Sequence, residues 1–280
     1  MRWTPGHRSS NVEDRRGGGG RLVRGAGGLG IGTIVVLLVL SLVFKRDFFS
    51  LVGAGGVDPA AETASGPPAE TTPEEERLVE FVSFVLDDAQ AVWARLLGST
   101  YRPAKLVLFR DAVQSACGFA ESATGPFYCP ADEKVYIDLG FFEELQRRFG
   151  APGDFAQAYV LAHEIGHHVQ NLTGTEREVR RTRQARPDLA NQLSVRLELQ
   201  ADCYAGAWGH STARRELLEQ GDVEEGLGAA AAVGDDRLQR MGGGRVVPES
   251  FTHGSSAERQ EWFRRGLETG KPESCDTFSR

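Results

Sequence analysis

Residues 163 to 167 read His-Glu-Ile-Gly-His. Four residues at 100° each return His163 and His167 to one face of a helix, about 6 Å apart along its axis, where two imidazoles reach one tetrahedral metal ion. Glu164 stands one step around the helix, placed to hold a polarised water and take its proton. The chemistry this pattern offers is metal-assisted hydrolysis.

Such a site needs three protein ligands and one open position, so a third ligand must come from elsewhere in the chain. The extended pattern with a third histidine requires Gly at position 170 and His at 173, but the chain has Gln170 and Thr173. A carboxylate from a second helix is the alternative, and Leu197-Glu198-Leu-Gln-Ala-Asp202 offers one. Glu198 and Asp202 are four apart and share a face. Glu198 would bind the metal, and Asp202 would accept the second ring N–H of a ligand histidine and so fix its tautomer. The neighbours Val195, Leu197, Leu199, Ala201 and Tyr204 mark a buried segment. An unpaired carboxylate is costly there, which favours a ligand over a solvated glutamate at 198.

Other titratable residues read differently. Glu176 and Glu178 sit among Arg177, Arg180, Arg181 and Arg183, the pattern of a solvated charged face. His168 is turned 100° from His167 and is expected to pack or to hydrogen-bond. His210 is rotated about 120° from the Glu198 face and is expected at the surface. His253 lies in Phe251-Thr-His-Gly-Ser-Ser256, a loop feeding a helix with Ser255 or Ser256 as N-cap. Two readings stay open for it. One is a donor to the oxyanion of a tetrahedral intermediate, with Arg259 orienting it or pairing with an acidic group; the other is a surface loop histidine.

The elements that must position these groups form an α+β, mostly helical domain. Thr72-Pro-Glu-Glu75 combines an N-cap, proline at the first helical position and a capping-box glutamate. Leu78, Phe81, Val82, Val85, Ala89, Val92 and Leu96 continue it at helical spacing. Residues 105–109 and 134–139 are rich in β-branched and aromatic residues and read as antiparallel strands. After Phe141 the chain reads as helical, with breaks near residues 150–153, Gly174, Pro187 and residues 242–244. Between the strands Cys117 and Cys129 bracket a short loop, which predicts a disulfide worth about 2 to 3 kcal/mol in the chain-entropy model. Cys203 and Cys275 complete an even count of four, which suits an oxidising compartment. A second bridge between them would tie the C-terminus to the metal-site helix; a free buried Cys203 is the other reading.

Charge divides the chain. Residues 1–46 carry a net +6 and the remainder −13. Residues 25–44 form a twenty-residue apolar or glycine run, about 30 Å as a helix, followed at once by Lys45-Arg46 in place of a small-residue cleavage site. The pattern predicts a basic cytoplasmic arm over 1–24, a transmembrane helix over 25–46, a flexible linker over 47–73 and a catalytic domain over 74–280. The positive-inside rule then keeps the N-terminus in the cytoplasm and turns the domain outward from a bacterial inner membrane. The arm's place beside a membrane span favours lipid headgroups or topology control over nucleic acid as its role. The sequence specifies no oligomeric state.

Several segments together resemble a known family. They are Met1-Arg-Trp, Asn11-Val-Glu-Asp-Arg-Arg, Gly125-Pro-Phe-Tyr-Cys-Pro130, Val135-Tyr-Ile-Asp-Leu139, His163-Glu-Ile-Gly-His-His-Val-Gln170, Glu198-Leu-Gln-Ala-Asp-Cys-Tyr-Ala-Gly206, Phe251-Thr-His-Gly254 and Cys275-Asp-Thr-Phe278. The chain is similar to the bacterial neutral zinc metallopeptidases, membrane-anchored proteins with a gluzincin-like, zincin-type catalytic domain. The resemblance implies a zinc endopeptidase acting on peptides or proteins, with one Zn²⁺ held by His163, His167 and Glu198 and with Glu164 as base. It implies that the strand at 134–139 is the edge strand above the cleft, where an extended substrate adds a strand. The loop at His253 is similar to the His-Pro-x-x-x-x-Arg segment of membrane-associated gluzincins, with Gly254 where proline would stand. A non-catalytic, membrane-tethered zinc-binding scaffold is the rival reading, and the intact Glu164 argues against it, because a closed structural site has no use for a base.

Overall fold

The helix expected from Thr72 is α1, Pro73–Leu97. Thr72 and Glu75 exchange side-chain and backbone hydrogen bonds in a capping box, and Pro73 opens the first turn where its missing N–H costs nothing. Val79, Val82, Val85, Leu86, Ala89 and Trp93 form its inward stripe. The structure, a computed structural model, describes residues 1–17 and 71–279.

Among the described residues the strands are β1 (Val12–Asp14), β2 (Lys105–Phe109), β3 (Ala112–Ser115), β4 (Gly118–Glu121), β5 (Phe127–Cys129) and β6 (Lys134–Asp138). One sheet has the order β1-β2-β6-β5, and β3 with β4 makes a separate hairpin. The expected antiparallel pairing of residues 105–109 with 134–139 is corrected: β2 and β6 run parallel, with Leu106 opposite Val135 and Leu108 opposite Ile137. The β3–β4 hairpin and β5 lie between them in sequence, so the chain has time to return to its starting end before β6 begins. The antiparallel partner of β6 is β5, reached through the short turn at residues 130–133. Consequently β6 is an interior strand and β5 is the edge, which corrects the expectation that residues 134–139 form the edge. The unbroken apolar run Leu106-Val-Leu-Phe109, buried throughout, is the pattern of a strand covered on both faces, as parallel strands are.

The helices after the sheet are α2 (Gly140–Arg147), α3 (Asp154–Thr173), α4 (Thr175–Ala185), α5 (Ala190–Arg214), α6 (Asp222–Ala232), α7 (Asp235–Met241) and α8 (Ser256–Thr269). The four expected breaks are present, and two more fall at residues 215–221 and 233–234, between α5, α6 and α7; Gly174, at φ 88°, ends α3 and starts α4 in a left-handed conformation that suits glycine. Helix α3 is buried on nearly every face and packs Phe155 on Trp208 of α5 and Tyr159 on Phe263 of α8. Helices α5 and α8 touch backbone to backbone: a Cβ on Gly266 would lie 1.9 Å from the carbonyl oxygen of Cys203. Both disulfides are formed, Cys117–Cys129 across the hairpin and β5, and Cys203–Cys275 from α5 to the turn Pro272–Cys275.

The N-terminal arm does not stand apart. Residues 1–17 belong to the same compact unit as residues 71–280. Strand β1 pairs in parallel with β2, and the Met1 ammonium lies 2.6 Å from Asp154 at the start of α3 and within 3.4 Å of Asp222 of α6. The side chain of Arg16, 1 % exposed, meets Asp14 at 2.7 Å and Glu76 of α1 at 2.9 Å; Arg8 also binds Glu76, and Arg2 approaches Glu219. Arg2, Arg8 and Arg16 of the arm therefore meet acidic side chains of the same molecule. This overturns the predicted localisation, because a strand and the sheet that contains it cannot lie on opposite sides of one bilayer. Among the described residues no helix is long and apolar enough to cross a membrane. The span predicted at 25–46 and the linker predicted from 47 up to residue 70 lie outside the described residues.

Candidate active site

Helices α3 and α5 cross at Gly166, where a Cβ would stand 3.0 Å from the carbonyl oxygen of Ala201 and 3.1 Å from its Cα. The glycine inside His-Glu-Ile-Gly-His thus lets α5 approach closely enough for Glu198 to reach the histidines. The Nε2 atoms of His163 and His167 are 3.1 Å apart; Glu198 Oε2 lies 3.1 Å from the first and Oε1 3.5 Å from the second. A tetrahedral zinc ion with bonds of about 2.0 to 2.1 Å spaces its ligand atoms about 3.3 Å apart, so the spacing fits. The donor set fits too: two imidazoles and one carboxylate suit zinc and leave a fourth position open.

Each histidine is oriented from behind. His163 Nδ1 lies 2.9 Å from Asp202 Oδ1, and His167 Nδ1 lies 2.8 Å from Gln170 Oε1. Acceptors at both Nδ1 atoms put the ring protons there and free both Nε2 atoms for a metal. Asp202 is fully buried and also binds Arg259, whose Nε and Nη2 donate to its two oxygens at 2.8 and 2.9 Å, and it accepts from the Tyr159 hydroxyl. Burial works against charge on Asp202, yet Arg259 and His163 outweigh it and hold the carboxyl below its usual range. Burial likewise opposes charge on His163, but Asp202 and Glu198 push its pKa up to about 10 before any metal competes for it. Burial raises the pKa of Glu164.

Glu164 faces a cleft of about 850 Å³ that the three prospective ligands also line. Gly125, Phe127 and Tyr128, in and beside the edge strand β5, form one side; Phe141, Phe149, Leu238 and Met241 give other parts of the lining an apolar character. His253 lines the same cleft. Its Nδ1 and backbone N–H bind Asp235 at 3.1 and 2.6 Å, and the N–H groups of Thr252 and Gly254 bind the same carboxylate. Gly254 adopts φ 94°, which a proline ring forbids, so the departure from the His-Pro pattern is built into this loop's backbone. Ser255 is the N-cap of α8 and closes a capping box with Glu258.

Residues 1–278 match the family described as "Putative neutral zinc metallopeptidase". The chain belongs to that family. A neutral zinc metallopeptidase family member is consistent with the donor set above, and the match includes the N-terminal arm that the fold incorporates. The chain is 46 % identical to the uncharacterized protein YpfJ of Escherichia coli over 293 residues, covering 100 % of this chain and 99 % of that protein. It is 48 % identical over 204 residues to an uncharacterized protein of Mycobacterium tuberculosis, covering 69 % of this chain and 68 % of the other. No solved structure matches the chain.

The residues singled out by sequence converge, with instructive exceptions. His163, Glu164, His167, Glu198, His253 and Arg259 line one cleft, and Asp202 lies buried behind His163. His168 packs, as expected, with its ring between the Arg102 carbonyl and the Tyr128 hydroxyl. His210 is half-buried against α8 and binds the Leu267 carbonyl, which corrects its expected surface position. Glu176 reaches the rim of the cleft. Sequence reasoning passed over Tyr159, Gln170 and Asp235. Gln170 stands where the extended motif has glycine, and its place about one turn beyond His167 on a buried helix is the signal of a hydrogen-bonding role.

Proposed function

We propose that this protein is a zinc-dependent endopeptidase whose ion is held by His163, His167 and Glu198. The observation that carries the reading is the tetrahedral spacing of those three donors beside Glu164, in a cleft bordered by β5, the edge strand of its sheet among the described residues. Zinc bound there supplies Lewis acidity, lowering the pKa of water and polarising a substrate carbonyl. Glu164 accepts the proton of the attacking water as its oxygen bonds to the carbonyl carbon, and then delivers that proton to the amine nitrogen as the C–N bond breaks. Edge strand β5 pairs with an extended peptide through main-chain hydrogen bonds, which orients the scissile bond while tolerating varied side chains. The apolar residues of the cleft favour a substrate with a bulky hydrophobic side chain near that bond. His253, fixed through Nδ1 by Asp235, presents its other ring nitrogen as a donor to the developing oxyanion.

The test is casein or peptide cleavage by purified protein, before and after chelation and after readdition of zinc. Loss on chelation and recovery with zinc support the reading. Cleavage indifferent to the chelator, or no cleavage by zinc-replete protein, overturns it, the second in favour of a non-catalytic zinc-binding protein.

A further inference from the structure

Behind His167 runs a chain of buried amides. His167 Nδ1 meets Gln170 Oε1 at 2.8 Å. Gln170 Nε2 donates to the Leu197 carbonyl at 2.7 Å and to Gln200 Oε1 at 3.1 Å, and Gln200 Nε2 donates to the Cys275 carbonyl at 3.1 Å. Gln170 is fully buried and Gln200 is 6 % exposed. Cys275 is bonded to Cys203, which lies on α5 three residues beyond Gln200.

The direction of this relay is fixed at both ends. The carbonyls of Leu197 and Cys275 can only accept, so each glutamine must turn its NH₂ toward them and its oxygen toward the histidine side. A flipped Gln170 would set its oxygen against the Leu197 carbonyl and its NH₂ against the ring. With Gln170 Oε1 held at Nδ1, His167 keeps its proton there and its Nε2 lone pair faces His163 and Glu198. Asp202 does the same for His163 with a charge; the relay does it for His167 with neutral groups drawn from three segments of the chain.

Resting on the metal site proposed above, we infer that Gln170 and Gln200 are positioning residues for His167, and that through them the disulfide-anchored C-terminal segment sets the metal affinity of the site. Removing a group that orients a ligand histidine typically costs about 10- to 100-fold in metal affinity. Gln170→Leu keeps the approximate volume and removes the acceptor, so its loss falls in that range. Gln200→Leu, one step further from the ring, loses less. Replacing Cys203 and Cys275 together by serine weakens binding through loss of the Gln200 anchor, so its effect disappears when added to Gln200→Leu in a double-mutant cycle.

The experiment is chelator competition for Zn²⁺, with the visible spectrum of the Co²⁺-substituted full chain as a report of ligand geometry. Urea denaturation of each metal-free variant accompanies it. Weakened binding and an altered cobalt spectrum in folded Gln170→Leu, with a smaller change in Gln200→Leu, support the inference; if Gln170→Leu does not fold, Gln200→Leu carries the same test. Wild-type affinity and spectrum in the folded glutamine variants overturn the inference and leave the metal site standing. A wild-type chain that binds neither ion overturns both. A disulfide effect that persists undiminished on top of Gln200→Leu overturns the role of the C-terminal anchor.

Discussion

Arg259 grips Asp202 through two hydrogen bonds, 2.8 and 2.9 Å, with both side chains almost completely withdrawn from solvent. The pair joins α8 to α5 directly behind His163. Breaking such a pair strands a buried charge, at a cost of about 3 to 5 kcal/mol. Arg259→Leu should lower the unfolding free energy by that order, as measured by urea denaturation. Arg259→Lys should recover only part of it, since an ammonium does not reproduce the two-pronged contact. Wild-type stability in either variant would contradict the structural role.

Gly166 governs how closely Glu198 approaches the histidines. Gly166→Val should force α3 and α5 apart against the Ala201 backbone, cost about 1 to 3 kcal/mol of overpacking, and lower the zinc content of purified protein. Full zinc occupancy at wild-type affinity in Gly166→Val would show that the crossing does not set the site.

These residues show what was legible in advance. The two histidines and Glu164 are local, because helix periodicity alone puts them in place, and Glu198 with Asp202 followed from a buried carboxylate pair at a spacing of four. The capping boxes at Thr72 and Ser255 are local too. What was not legible depended on contacts between distant segments. The direction of β2 relative to β6 is set by the path through residues 110–133, and strand composition does not encode it. The positive charges at Arg8, Arg15 and Arg16 carry no mark of whether their partners are lipid or the acids of α1 and β1. Gln170 and Gln200 are neutral, so no charge argument singled them out.

The arm offers its own test. Arg16 is buried between Asp14 and Glu76, whose carboxylates are themselves partly solvated, so the pair is worth less than a fully buried one. Arg16→Ala should destabilise the protein by about 1 to 3 kcal/mol through the lost charged hydrogen bonds. Unchanged urea denaturation would mean that residues 1–17 do not pack on the domain as described.

His253 and Asp235 form a pH-sensitive pair. The hydrogen bond that the His253 ring donates to Asp235 raises the His253 pKa above 6.5; burial opposes charge on Asp235, but the bonds it accepts from the His253 ring and backbone lower it below 3.8. A raised imidazole stabilises fully below its unfolded value and loses that contribution as pH rises through the folded pKa. A depressed carboxylate stabilises fully above its unfolded value and loses that contribution as pH falls through the folded pKa. The pair's contribution is therefore complete between 3.8 and 6.5 and fades on either side. In an NMR titration of metal-free protein, the His253 ring should titrate above 6.5, and Asp235→Asn should bring its midpoint down. An unmoved midpoint would remove Asp235 as the cause.

The most direct test of the central claim is a paired measurement on Glu164→Gln: zinc per chain by elemental analysis, and hydrolysis of a peptide substrate by the same preparation. The glutamine keeps the volume of the side chain and is not among the prospective ligands, so zinc should remain at the wild-type level while turnover falls by about 100-fold or more, the contribution of a general base. Undiminished hydrolysis in the zinc-replete variant, or a wild-type chain that carries no zinc, would contradict the account.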